Sequence, residues 1–332
     1  MFEDYYYLSS VNEGLVSHFE NLAKKLSLSS FIVDIGSNDG ILLKPLKSMG
    51  IRALGIDPSI NVGKLANDSG LETLISFFNN SSVEKIIKDY GKPDTIVAAS
   101  VFTHIENPEQ FAIDIKKLIK ENGFFILEVE YLSNFIKNIQ FERFYFDRPF
   151  YYSLSSIKIL FQQVGMSLVN VEHIDTHGGS IRCYIKNSKD EKPTSSVEDI
   201  IKQEKENLTI ETFKIFQKNI IKETRNFKEK LNYFKRSKKK VIGYGAPARV
   251  STITNFANID YNHIDFIIDD SPLKQDRYTP GTHIPIISRK KSKSNNVDII
   301  IVFAYEYFKE IKEYTKNYNC EYFQPIPFRK LS

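Results

Sequence analysis

The 332-residue chain predicts an α/β protein with a doubly wound, mostly parallel Rossmann-like sheet, a helical connection, and a second, smaller Rossmann-like α/β domain. Three observations carry this expectation. Apolar strand-like runs recur at 31–36, 52–57, 94–99 and 123–129 with helical patterns between them, the alternation of a parallel sheet. A polar, breaker-containing stretch at 187–196 then interrupts the pattern. A fresh strand and glycine turn open at Lys240. The length suits two domains, each large enough to bury its own core.

Taken in order, Leu15, Phe19, Leu22 and Leu26 recur at helical spacing and predict a covering helix ahead of the first strand. Segments near 167–173 and 180–186 supply a final antiparallel hairpin, so the first domain is expected to cover 1–188. A linker and long helix follow at 189–239. From 197 to about 234 the apolar spacing, which includes Phe213, Ile220, Phe227 and Leu231, predicts one long helix or two consecutive ones. The second α/β domain spans 240–332, with strands at the Val241 segment, 264–269, 297–303 and 321–324.

Composition excludes several classes. A formal charge of +4 permits an anionic substrate, but the basic residues are dispersed apart from the run Lys235 to Lys240, which reads as a solvated helix end; no nucleic-acid partner is expected. Cys183 and Cys320 stand far apart, so neither a disulfide framework nor a metal site is expected, and a reduced, cytoplasmic home follows. The N-terminal residues carry no leader pattern, and no run approaches the roughly 18 apolar residues of a membrane span.

The chemistry concentrates in two adjoining stretches. Asp34-Ile-Gly36-Ser-Asn38-Asp-Gly40 closes the first strand, and Asp57-Pro58-Ser59 closes the second. A glycine turn lets a ligand approach the backbone at the carboxyl edge of the sheet, and an acid closing the next strand can bind ribose hydroxyls. A dinucleotide is disfavoured because Asp34 puts negative charge where a pyrophosphate needs amide donors. A ligand with a cationic end suits the turn, and S-adenosylmethionine carries an ammonium and a sulfonium without any phosphate. With its preceding acid, the G-x-N-x-G form resembles the first motif of class I methyltransferases. The polar loop from Ser100 to His104 then lies where those enzymes close the methionine end of the cofactor. The alternative is a turn that serves only strand-to-helix geometry.

Further segments extend the resemblance over nearly the whole chain. They are Tyr5-Tyr6-Tyr7-Leu-Ser9, the stretch from Phe141 through Tyr145-Phe146-Asp147-Arg148 to Tyr151, His177-Gly178-Gly179-Ser180-Ile-Arg182, and Gly243-Tyr244-Gly-Ala-Pro247-Ala-Arg249 with His283. In this order they resemble the C-methyltransferases that act on nucleotide-linked 4-ketosugars. The resemblance implies S-adenosylmethionine as cofactor, held by Asp34, Gly36, Asn38, Gly40, Asp57, Pro58, Phe77, Phe78 and Ser100. It implies a nucleotide sugar as the partner, met by Tyr6, Tyr7, Ser9, Tyr151, Gly178, Gly179, Ser180, Arg182, Tyr244, Pro247, Arg249 and His283.

Two departures from the family stand out. Members commonly carry a cysteine-rich zinc module ahead of the Tyr-rich segment, and no such cysteines occur here. Where the family has Tyr-His-Glu-His, with the second His proposed as base, this chain reads Tyr145-Phe146-Asp147-Arg148. Arginine stays protonated and cannot act as a general base near neutrality. Tyr145, Asp147, His104 and His177 are the remaining candidates for proton abstraction, with Arg148 as a clamp for phosphate or a developing oxyanion. O-methylation in the same scaffold is a rival reading. So is an NAD or nucleotide-sugar oxidoreductase using Gly243-x-Gly245-x-x-Ala248 with Asp269.

Overall fold

A computed structural model describes residues 8–292 and 296–332; the side chain of His177 lies outside what it describes, as do Tyr6 and Tyr7. Two compact units emerge. The first comprises Met1–Leu132 and Asp147–Asn207, the second Ser133–Phe146 and Leu208–Ser332.

The first unit is built on seven strands: β1 Phe31–Ile35, β2 Arg52–Asp57, β3 Thr73–Ile75, β4 Thr95–Ala99, β5 Phe124–Glu130, β6 Ser167–Ile174 and β7 Ser180–Lys186. Their spatial order is β3-β2-β1-β4-β5-β7-β6, parallel except for β7, which runs antiparallel between its neighbours. This is the class I methyltransferase sheet. Strand order reverses between β1 and β4, and such a reversal opens a crevice outside the carboxyl ends of the strands.

Alternation along each strand sorts the side chains between two faces. Val33, Ile35, Ile96, Phe125 and Leu127 join one buried cluster with the apolar stripes of helices Asn80–Tyr90, Pro108–Leu118 and Leu154–Gln163. Ile32, Val97 and Ile126 face the other way, against Leu22 and Ala23 of helix Glu13–Lys25, Leu26 at its C-cap, and Leu42 and Leu46. That covering helix starts where expected, because Asn12 accepts a hydrogen bond from the Leu15 N–H at 3.1 Å and caps it. The expected hairpin is present as β6 and β7. Strand β3 escaped the sequence reading because it is only three residues long and lies at the sheet edge.

The second unit carries a second seven-stranded sheet: β8 Val241–Tyr244, β9 Ile267–Ile268, β10 Arg277–Tyr278, β11 Pro285–Ile287, β12 Ile299–Val302, β13 Glu321–Gln324 and β14 Arg329–Leu331. The order is β10-β11-β9-β8-β12-β13-β14, with the five inner strands parallel and both edges antiparallel. The expected strand at 264–269 shortens to two paired residues, and β10, β11 and β14 lack the length to stand out in sequence.

The unit boundaries fall elsewhere than at residue 188. Helix Ser195–Asn207 belongs to the first unit because Val197 and Ile200 join its apolar core and the buried Glu204 carboxylate accepts from the Tyr131 hydroxyl and the Leu154 N–H. Helix Ile210–Arg236 belongs to the second, burying Phe227 and Leu231 beside Val241 and Ile301. The helical stretch is therefore two helices, divided between units. Residues 133–146 also join the second unit, where Phe141 packs in the same cluster. Among the described residues, no helix is long and apolar enough to cross a membrane, and no group of His, Cys, Asp and Glu could hold a metal ion.

Candidate active site

The turn after β1 is held by backbone and by one carboxylate. Gly36 takes a positive φ of 73° and donates its N–H to the Ile56 carbonyl at 2.8 Å; a side chain there would reach Val101 Cβ at 3.0 Å. The Asn38 N–H donates to Asp57 Oδ2 at 2.9 Å, and the Ser59 N–H donates to Asp57 Oδ1 at 2.8 Å. Asp57 therefore fixes the turn with both oxygens and keeps lone pairs for a further donor.

At this edge lies a cavity of about 270 Å³. Asp34, Gly36, Asn38, Asp57, Pro58, Phe77, Phe78, Ser100 and His104 all line it, as do Ser9 and Arg148. Gly40 does not. With φ 83° it closes the turn against Leu71, whose Cδ1 lies 2.5 Å from where a Cβ would sit, so its part is conformational.

Sequence reading missed three ionisable lining residues: His18, Glu128 and Glu130. Alternation puts Glu128 and Glu130 on the Ile126 face of β5, the face that also carries Asp34 on β1. His18 interrupts the apolar stripe of the covering helix between Leu15 and Leu22 and hydrogen-bonds Glu128 Oε2 through Nε2 at 2.8 Å. The available signals were two acids two positions apart in an apolar strand and one polar residue on an apolar helix stripe.

The electrostatics of these carboxylates diverge. Burial of Asp34 raises its pKa well above the ordinary value, and the negative charges of Asp57 and Glu128 push it further up. Burial also opposes ionisation of Glu128, but the His18 hydrogen bond and the charge of Arg182 outweigh it and hold that carboxyl below its usual range. Arg182 donates from Nε to Glu128 Oε1 at 2.6 Å and from Nη1 to Glu172 Oε2 at 3.2 Å. It does not line the cavity; it supports Glu128 from behind.

The altered segment is divided. Asp147 faces His104, whose Nδ1 lies 3.4 Å from Asp147 Oδ2 and 2.9 Å from its carbonyl oxygen. Arg148 pairs with Glu130, Nη1 to Oε1, at 2.7 Å, and both line the cavity. The guanidinium is thus paired with a buried carboxylate. Tyr145 lies in the second unit, and Tyr151 is half-buried. Before β7, Gly178 and Gly179 take positive φ of 83° and 110°, and the buried Ser180 hydroxyl donates to the Thr176 carbonyl at 2.9 Å; Thr176 lines the cavity.

In the second unit the Gly243 motif repeats the device of the first. Gly245, φ 82°, donates its N–H to the Ile268 carbonyl at 2.7 Å. The Ala246 N–H donates to Asp269 Oδ2 at 2.6 Å, and the Ser271 N–H to Asp269 Oδ1 at 2.9 Å. Tyr244 is buried and donates to Asp270 Oδ2 at 3.0 Å; Arg249 donates to Glu306 Oε1 at 2.8 Å. Pro247 is half-buried in this turn and His283 is exposed.

The donor set of the first cavity fits S-adenosylmethionine. It offers buried carboxylates for cationic groups, an acid at the end of β2 for ribose hydroxyls, and the aromatic side chains of Phe77 and Phe78 for an adenine ring.

Residues 7–171 match the family described as a methyltransferase domain, and residues 175–327 match the C-methyltransferase C-terminal domain. The chain is a class I S-adenosylmethionine-dependent methyltransferase. It is similar to the C-methyltransferase NovU of Streptomyces niveus, 28% identical over 340 residues that cover 98% of this chain and 81% of that protein. A mitochondrial ubiquinone biosynthesis O-methyltransferase of Arabidopsis thaliana is 28% identical over 126 residues, 36% of this chain and 39% of that one. Among solved structures, magnesium protoporphyrin IX methyltransferase from Synechocystis with bound S-adenosylhomocysteine aligns over 53% of this chain and 84% of its own, at 16% identity and a TM-score of 0.42.

Asp57→Ala is expected to weaken S-adenosylmethionine binding by about 1.5–3 kcal/mol, the range for hydrogen bonds to a charged group. Calorimetry reads this directly. An unchanged Kd would take Asp57 out of the cofactor site.

Proposed function

We propose that the chain methylates carbon in a nucleotide-linked sugar bearing a 4-keto group. The observation that carries this reading is the likeness to a C-methyltransferase through 98% of the chain, second unit included, whereas the O-methyltransferase likeness covers only 36%. The sugar rests on the resemblance of the His177 to Arg182 segment and the Gly243 to Arg249 turn to nucleotide-sugar C-methyltransferases. The repeated Gly245 and Asp269 device supports a nucleotide on the second unit, because an acid closing a second strand beside a glycine turn suits a ribose.

S-adenosylmethionine, when bound, supplies an electrophilic methyl on a sulfonium. Asp34 and Asp57 would hold its cationic and ribose ends. Ile41, Phe77 and Phe78 line the cavity with apolar surface and limit water there. The chain's remaining work is to orient the acceptor carbon and to remove its proton.

The test is transfer of labelled methyl to uridine and thymidine diphosphate 4-keto-6-deoxyhexoses, with the product read by nuclear magnetic resonance. A new methyl on carbon next to the carbonyl is expected. A methyl ether would replace C-methylation by O-methylation, and transfer only to an acceptor without a ketone would remove the ketosugar.

A further inference from the structure

Arg148 cannot take a proton near neutrality, and Asp147 beside it is turned to His104. Glu130 stands apart from these. It is the last residue of β5, at the carboxyl edge of the strand adjoining β4, and lines the cavity together with Asp34, Ser100 and Arg148. It is 2% exposed; Oε1 lies 2.7 Å from Arg148 Nη1, while Oε2 has no hydrogen-bond partner among the described residues. A buried carboxylate oxygen without a partner is costly to hold, and such groups recur at reactive sites.

We infer that Glu130 is the general base of the methyl-transfer site and that Arg148 is its charge partner, the two together replacing a histidine base. The inference rests on the ketosugar reading above. Glu130 Oε2 takes the proton from the carbon next to the substrate carbonyl; that C–H bond breaks, and its electron pair moves into the ring as an enolate with the charge on oxygen. Arg148 stays protonated throughout. Before transfer its charge is matched by Glu130, and after transfer by the enolate, so the buried site never carries an unmatched charge. The enolate carbon would then take the methyl as the methyl–sulfur bond of the sulfonium breaks, its electron pair staying on sulfur; the carbonyl is restored and the proton leaves Glu130 for solvent.

The test is proton exchange, which needs no turnover of the cofactor. Wild type, Glu130→Gln and Glu130→Asp are incubated with S-adenosylhomocysteine and thymidine diphosphate 4-keto-6-deoxyglucose, or the uridine analogue, in heavy water, and loss of the sugar proton next to the carbonyl is followed. With S-adenosylhomocysteine saturating, Glu130→Gln should exchange at least 100-fold more slowly than wild type. Glu130→Asp, which keeps the carboxylate, should retain part of the rate. Exchange in Glu130→Gln within threefold of wild type overturns the assignment. If Glu130→Gln fails to bind cofactor, Glu130→Asp decides: exchange no faster than without enzyme then overturns it. Should wild type neither exchange nor methylate any ketosugar, the substrate reading fails instead, a separate outcome.

Discussion

Asp34→Asn is expected to weaken S-adenosylmethionine binding at pH 8 by about tenfold to 150-fold, matching the 1.5–3 kcal/mol of a hydrogen bond to a charged group, and to flatten its pH dependence. In the ligand-free cavity, burial first, then Asp57 and Glu128, raise the Asp34 pKa well above its ordinary value of 3.8. A cationic ligand favours the ionised carboxyl and lowers that pKa, so binding releases a proton wherever the free carboxyl is still protonated. Affinity of the wild type should therefore rise with pH across that range and level off above it. Calorimetry in buffers of differing ionisation enthalpy measures the proton released.

The same substitution has an opposite effect on stability. A raised native pKa contributes stability that is complete below the unfolded value and is lost as pH rises through the native one. Asp34→Asn should accordingly make the ligand-free protein more stable at pH 8 while it binds cofactor less well, a trade common at functional sites. Wild-type affinity that stays level from pH 5 to 8, together with unchanged affinity in Asp34→Asn, would remove Asp34 from the cation site.

What the sequence disclosed follows from the range of the interactions involved. Strands β1, β4 and β5 were legible because parallel strands covered on both faces read as nearly unbroken apolar runs. The Gly36 turn and Asp57 were legible because a positive φ and an acid at a strand end are local requirements. Gly40 shows the limit of that logic: it shares the motif, yet its constraint is Leu71 from another element.

Pairings between distant residues were not legible. Nothing near Arg148 in sequence indicates Glu130, 18 positions earlier, and nothing in the covering helix indicates that His18 meets Glu128 across 110 positions. The unit boundary failed for a related reason. Helix Ser195–Asn207 looked like a connector because its surface is mostly polar, but Val197, Ile200 and Glu204 are enough to fix it to the first unit. Residues 133–146 likewise follow Phe141 into the second core.

Arg182→Ala is expected to cost about 3–5 kcal/mol of folding stability at pH 7, the loss found when one partner of a buried ion pair is removed and the other stays charged. The pair is Arg182 with Glu128, 4% and 2% exposed, and the substitution also removes the contact to Glu172. His18 would be the remaining partner of Glu128 among the contacts described here. The effect has a pH signature. Burial opposes ionisation of Glu128, and the His18 hydrogen bond and Arg182 charge outweigh it, so the native pKa lies below the ordinary 4.5. A depressed carboxyl contributes stability that is present above the unfolded pKa and lost as pH falls through the native one. Urea midpoints of wild type and Arg182→Ala should therefore differ widely at pH 7 and converge as pH falls below the ordinary carboxylate range. The double variant Arg182→Met with Glu128→Leu should recover most of the loss, since apolar side chains of similar volume remove the buried charge as well as its partner. All of these are measured without cofactor, because His18 and Glu128 line its cavity and ligand binding would add its own term. A loss below about 1 kcal/mol in Arg182→Ala, the size typical of an exposed pair, would mean that water reaches Glu128 and that the network behind the cofactor cavity does not hold it in place.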